Sequence, residues 1–86
     1  MGAYRVFVDP RAEKELARLP NHVLWRMAKK IASLADDPRP HGSKKLAGRE
    51  GYRSRQGDYR ALYAVNNTGQ FVTVLRVAHR SDVYDR

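Results

Sequence analysis

The sequence predicts an α+β domain, an antiparallel sheet of about four strands with two N-terminal helices packed on one face. Apolar residues recur at helical spacing between positions 12 and 35, then at alternate positions between 51 and 78. Prolines at 10, 20, 38 and 40 cut the first half into two helices. Gly57-Asp58 and Asn67-Thr68-Gly69 cut the second half into hairpins. With 86 residues and no repeat, low-complexity tract or linker, residues 1–86 read as a single domain.

The first element is a strand, "AYRVFV", with Tyr4, Val6 and Val8 alternating against Arg5 and Phe7. Asp9-Pro10 supplies an N-cap and a proline at the first helical position. A short helix then sets Ala12, Leu16 and Leu19 on one side and stops at Pro20. Asn21 is expected to cap a second helix, whose apolar positions are Leu24, Met27, Ala28, Ile31, Leu34 and Ala35. It ends at "DDPRP". A basic loop, "GSKKLAGRE", fills 42–50, and strands are expected at about 51–56, 59–66 and 70–78.

Strand parity sorts the side chains into two faces. Tyr59, Ala61, Tyr63 and Val65 share the apolar face with Phe71, Thr73, Leu75 and Val77, and this face should pack on the helices. Tyr52 is expected to join it. The other face carries Arg53, Arg55, Arg60 and Arg76, with Leu62, Val72 and Val74 further along. A three-residue loop at Asn67-Thr68-Gly69 would pair Asn66 with Gln70 and Arg60 with Arg76. Arg80 joins the same face if the last strand continues past Ala78.

The chain carries a net charge of +8. Residues 39–60 hold seven cations against two anions, so the excess is concentrated there. Twelve of the seventeen cations are arginine, the residue suited to bidentate phosphate contacts. Like charges opposite each other destabilise a ladder, so an arginine face makes physical sense when an anion is meant to sit on it. RNA, DNA or an acidic protein segment fits the field. Cysteine is absent, which excludes a disulfide framework, a thiol nucleophile and cysteine-ligated metal. No segment approaches the roughly 20 apolar residues of a membrane span, and the first residues do not read as a signal peptide. The expected compartment is the cytoplasm, with no membrane partner. No carboxylates stand at ligand spacing near the basic cluster, so neither a metal nor another cofactor is expected. Trp25 reads as an exposed anchor for a partner, while His22 and His41 read as ordinary surface residues.

In order, "RAEKELARLP", "IASLADDPRPHGSKKLAG", "GYRSRQGDYRALYAV" and "VLRVAHRSDVY" resemble the RelE/ParE superfamily of toxins from type II toxin–antitoxin pairs. The resemblance covers nearly the whole chain and is sharpest in the G-Y-R-x-R-x-G-D-Y-R hairpin and the terminal H-R-x-D-V-Y. It implies the same fold. It also implies a toxin that is monomeric when free and forms a hetero-oligomer with a cognate antitoxin.

RelE-like members are endoribonucleases that enter the ribosomal A site and cleave mRNA without a metal. The 2′-OH attacks the adjacent phosphorus and leaves a 2′,3′-cyclic phosphate. Position by position, the resemblance implies a catalytic set of Arg53, Arg55, Arg60, Arg80 and Tyr84. Lys44, Lys45, Arg49 and Arg76 would contact RNA. The departure lies at 53 and 55, where the ribosome-dependent archetype has lysines. Arginine holds phosphate but exchanges no proton, so proton transfer passes to Tyr84, to a histidine such as His79, or to the ribosome. By parity His79 points toward the helices. Tyr84 has two readings, a contact to base or 2′-OH and an anchor for the C-terminus. Asp82 reads as a cap or a partner of Arg80. Two other functions stay open: a ParE-like gyrase inhibitor without nuclease activity, and an inactive relative that binds RNA or sequesters antitoxin.

Overall fold

The computed structural model describes residues 3–48 and 50–81. Strand β1 (Arg5–Val8) leads into helices α1 (Pro10–Ala17) and α2 (Asn21–Ser33). Four more strands follow: β2 (Lys44–Lys45), β3 (Tyr52–Gln56), β4 (Tyr59–Asn66) and β5 (Phe71–His79). The sheet order is β1-β5-β4-β3-β2. The expected α+β class and the two N-terminal helices are present. Among the described residues the strand count is five, because two lysines of the basic loop pair with β3 and add a strand to the four expected. β1 runs parallel to β5, with Arg5 beside Phe71 and Val8 beside Val74; the other pairings are antiparallel. A parallel neighbour needs a long crossover, and everything between β1 and β5 serves as one.

Asp9 caps α1 as expected, its side chain accepting from the Arg11 amide at 3.0 Å with Pro10 at the first helical position. For α2 the expectation shifts by one residue. Pro20, at φ −54° and ψ 144°, takes the cap position, and Asn21 is the first residue of the helix. The Pro20 carbonyl accepts from the amides of Val23 and Leu24, and no side chain caps this end. Ala12 and Leu19, with Met27, Ile31 and Leu34, pack on Ala61, Tyr63, Val72, Val74 and Val77. Each large side chain buried this way contributes roughly 1.5–3 kcal/mol. The Tyr63 hydroxyl donates to the Pro38 carbonyl at 2.8 Å, tying the proline loop to the sheet. Burial pushes its phenol above the ordinary range, outweighing a hydrogen bond with Ser43.

The β4–β5 register departs from the parity reading. Asn66 pairs with Phe71, so the loop has four residues. Asn66 Oδ1 accepts from the Gly69 amide at 2.6 Å, and the left-handed residue is Gln70 (φ 54°). Glycine at 69 answers a close approach: a Cβ there would lie 2.8 Å from the Phe71 ring. This register turns Val72 and Val74 onto the helices, where both are fully buried. A β-bulge follows, in which Tyr63 pairs with Val74 but Leu62 pairs with Arg76. The extra residue, Leu75, is 41% exposed. The bulge resets the parity, so Val77 is also buried. Loop length and bulge together bury three valines. The expected register would have buried Phe71, Thr73 and Leu75 in place of Val72 and Val74, with Val77 buried in both.

Arg60 therefore faces Ala78, not Arg76. Arg76 is held by Glu15 of α1, its Nε lying 3.1 and 3.0 Å from the two carboxylate oxygens and its Nη2 2.9 Å from one. Beyond the end of β1, the Val77 amide donates to Glu15 Oε1 at 2.9 Å, so the carboxylate stands where a strand partner would. Burial works to raise the Glu15 pKa, but the bonds from Arg76 and Val77 win and hold it below the ordinary value. A depressed carboxylate stabilises the fold above its unfolded pKa and ceases to as pH falls through its folded pKa. Glu15→Gln should cost about 1 kcal/mol at neutral pH. It should also flatten the acid limb of the thermal midpoint against pH, below the usual carboxylate range. An unchanged acid limb would mean that the bridge contributes nothing to stability.

Candidate nucleic-acid interface

The β3–β4 hairpin forms as the sequence predicts. Gly57 and Asp58 make the turn, with Gly57 at φ +62°, and Gln56 pairs with Tyr59 while Arg55 pairs with Arg60. A positive φ at the first turn position alone is the II′ pattern, whose twist suits a hairpin. Ladder bonds alternate. The pair closing the turn exchanges them, so Arg55 and Arg60 form the close-set pair whose backbone groups point outward. Two guanidinium stems therefore rise side by side. Arg53 stands two residues along β3, opposite Leu62.

Arg80 follows the end of β5. Its amide donates to the Asp58 carbonyl at 2.7 Å, and its Nε lies 3.9 Å from Asp58 Oδ1. Both side chains are mostly exposed, so this pair orients more than it stabilises. Desolvation lowers the Arg60 pKa below the ordinary arginine value, and repulsion from Arg53, Arg55 and Arg80 lowers it further. Four of the expected residues thus share one field centred on Arg60. The fifth arginine, Arg76, is engaged by Glu15.

The basic loop divides. Lys44 pairs with Arg53 and so lies on the arginine face, whereas Lys45 pairs with Tyr52 on the other. Leu46 closes over Leu62, giving the arginine face a small apolar floor that Ala78 completes. Tyr52 stacks on Tyr63, and the Arg39 guanidinium sits 5.8 Å from its ring centre. Arg49 and Tyr84 lie outside the described residues, as does Asp82. His79 pairs with Tyr59, edge-on at 5.3 Å, which puts it on the face opposite Arg60. Its Nδ1 accepts from the Ser81 amide at 3.2 Å and lies 2.9 Å from the Ser81 hydroxyl. Among the described residues no three His, Asp or Glu side chains gather as a metal site would require. No described helix is long and apolar enough to cross a membrane.

One contact was not foreseen. Lys30 of α2 donates from Nζ to the Arg55 carbonyl at 2.5 Å. That carbonyl points away from β4 and lies beyond the reach of β2, so the ammonium finishes the strand edge and fixes the backbone under Arg55. Helical spacing puts Lys30 beside Ile31, but which carbonyl it meets depends on the helix–sheet docking. Lys30→Met, which keeps the stem and removes the donors, should cost about 1 kcal/mol. In a domain of this size that lowers the thermal midpoint by roughly 4–8 °C. Lys30→Arg should restore most of it, and an unmoved midpoint in Lys30→Met would make the contact incidental.

Comparison with known proteins agrees with this architecture. A family model described as the ParE toxin of type II toxin–antitoxin systems matches residues 6–84. The toxin RelG of Mycobacterium tuberculosis is 32% identical over 87 residues, covering 96% of this chain and 98% of that protein. Among solved structures, the archaeal RelE–RelB complex from Pyrococcus horikoshii superposes with a TM-score of 0.77 at 28% identity, covering 93% of this chain and 98% of its match. The isolated Escherichia coli RelE toxin gives 0.77 at 28% identity, covering 90% and 84% respectively. On the extent of these matches and a shared fold, the chain belongs to the RelE/ParE superfamily of toxins from type II toxin–antitoxin systems.

Proposed function

We propose that this toxin is a ribosome-dependent endoribonuclease that cleaves mRNA in the A site. The observation that carries the reading is the convergence of Arg53, Arg55, Arg60 and Arg80 on one field, on a fold shared with RelE toxins. The ribose 2′-oxygen attacks the adjacent phosphorus, the P–O5′ bond breaks, and a 2′,3′-cyclic phosphate and a 5′-OH result. The 2′ proton leaves to a base and the departing oxygen takes one up, so the step balances without a co-reactant or a metal. Arg60, flanked by Arg55, Arg53 and Arg80, stabilises the charge that builds on the phosphoryl oxygens. Lys44 extends the track for the RNA backbone, and Lys45, on the other face, and Arg49 are further RNA contacts in this reading. None of the arginines moves a proton. Tyr84 and the ribosome supply that path in this reading; His79 stands on the other face.

Several solved structural neighbours are complexes of a toxin with its antitoxin. By that likeness this chain, a cytoplasmic monomer when free, is neutralised by a cognate antitoxin in a hetero-oligomer. The complex should weaken as salt rises where acidic residues meet the arginine face. The test uses purified protein with one mRNA, either naked or on programmed ribosomes. Cuts with cyclic-phosphate ends on ribosomes alone are expected. No cut in either setting overturns the nuclease assignment, and rapid cutting of naked RNA shows a proton path within the protein.

A second reading, inhibition of DNA gyrase, has one specific observation behind it: the matching family model describes a ParE toxin. Arginine at both 53 and 55 suits it as well. Gyrase-linked DNA breaks with intact mRNA after induction would establish it.

A further inference from the structure

Behind the arginine face, the hairpin tip and the N-terminal part of α2 line an open cavity of about 240 Å³. We propose that it is a nucleobase subsite, taking the base of a nucleotide next to the one whose phosphate lies on the arginine face. The inference rests on the ribonuclease reading for its role, but its binding chemistry stands by itself.

The lining suits a base. Val23 and Tyr59, both half-buried, provide an apolar wall and an aromatic ring, and stacking on a ring accepts any base. Gln56 brings a carboxamide that can both donate and accept along a base edge. His22 and Arg26 stand exposed at the rim, where a phosphate would be met. The carboxylate of the lining, Asp58, has the Arg80 guanidinium as its counter-ion at 3.9 Å.

The placement joins the cavity to the arginines. Gln56 and Tyr59 form one cross-strand pair, and Arg55 and Arg60 form the next. Neighbouring pairs of a ladder point to opposite faces. Cavity and arginine face therefore lie back to back at the hairpin end, with only the turn between them. That turn is bare: a Cβ at Gly57 would meet nothing within 4 Å. An RNA strand can cross over it, leaving a phosphate on one side and delivering a base to the other.

The binding arm uses the full chain and nucleoside 5′-monophosphates, with ribose 5-phosphate as the base-free control, read by two-dimensional NMR. At least one nucleotide should shift the Gln56 side-chain amide with the Val23 and Tyr59 amides, and ribose 5-phosphate should leave them in place. Shifts confined to the arginine face, or equal shifts with the control, overturn the subsite. The cleavage arm compares wild type with Gln56→Ala on programmed ribosomes. Losing one base-edge bond should flatten the preference at one nucleotide flanking the cut by roughly 2- to 10-fold. An unchanged preference overturns the subsite too. A wild type that cuts nothing fells the ribonuclease reading alone, because the binding arm then decides whether the cavity takes a base.

Discussion

Arg60→Ala is expected to lower mRNA cleavage on ribosomes by roughly 10²–10³ while leaving the fold as stable as before. Arg60 sits opposite Arg55 in the close-set pair, within the field of Arg53 and Arg80, and desolvation with that field already depresses its pKa. The mutual repulsion of these arginines eases when an anionic phosphate arrives among them. Truncation removes a donor that works chiefly in the transition state, and relief of like-charge repulsion leaves stability neutral or slightly raised. Arg80→Ala should lose activity similarly, with a small further effect from releasing Asp58. Arg55→Lys should keep more activity than Arg55→Ala, since a lysine still places a cation there. Cleavage rate and thermal midpoint, measured on the same preparations, separate these effects. A variant that loses both has lost its fold, and wild-type cleavage by Arg60→Ala reduces the face to a docking surface.

The largest stability effect is expected from Val74→Lys, which should leave little folded protein. Val74 is 0% exposed and lies against the helices. An ammonium there lacks a partner, and an uncompensated buried charge costs several kcal/mol. Small domains have only about 5–15 kcal/mol in total. Thr73→Lys, one residue away, should cost no more than about 1 kcal/mol, because Thr73 pairs with Phe7 and Ala64 on the face turned from the helices. Circular dichroism and thermal melts of the two variants decide the matter. The register expected from strand parity predicts the reverse pattern, with Val74→Lys tolerated and Thr73→Lys unfolding the chain.

That reversal marks where the sequence was legible and where it was not. The β3–β4 hairpin was readable to the residue, because Gly57-Asp58 leaves one turn type and one register. So was the first helix start, since Asp9-Pro10 serves as cap and first turn at once. The β4–β5 hairpin misled because Gly69 looked like the left-handed residue, whereas Gln70 takes that conformation and lengthens the loop by one. The bulge at Leu75 has no local signature; its cause is the joint burial of Val72, Val74 and Val77, a property of the packed sheet. Partnerships between distant elements were equally hidden. Glu15 with Arg76 and Lys30 with the Arg55 carbonyl are 61 and 25 positions apart in sequence. The arginine cluster survived these shifts because three members stand in or beside the hairpin that was read correctly. Arg76 keeps that face, beside Leu62 and not Arg60, but Glu15 holds its guanidinium.

The central claim is that the arginine face cuts mRNA on the ribosome. Its most direct test is a primer-extension map of cellular mRNA after induction, with wild type and Arg60→Ala compared at equal protein levels. Cuts within translated codons should appear for wild type and fall by about 10²–10³ for Arg60→Ala. Intact mRNA beside gyrase-linked DNA breaks, or the same cuts from both proteins, would contradict it.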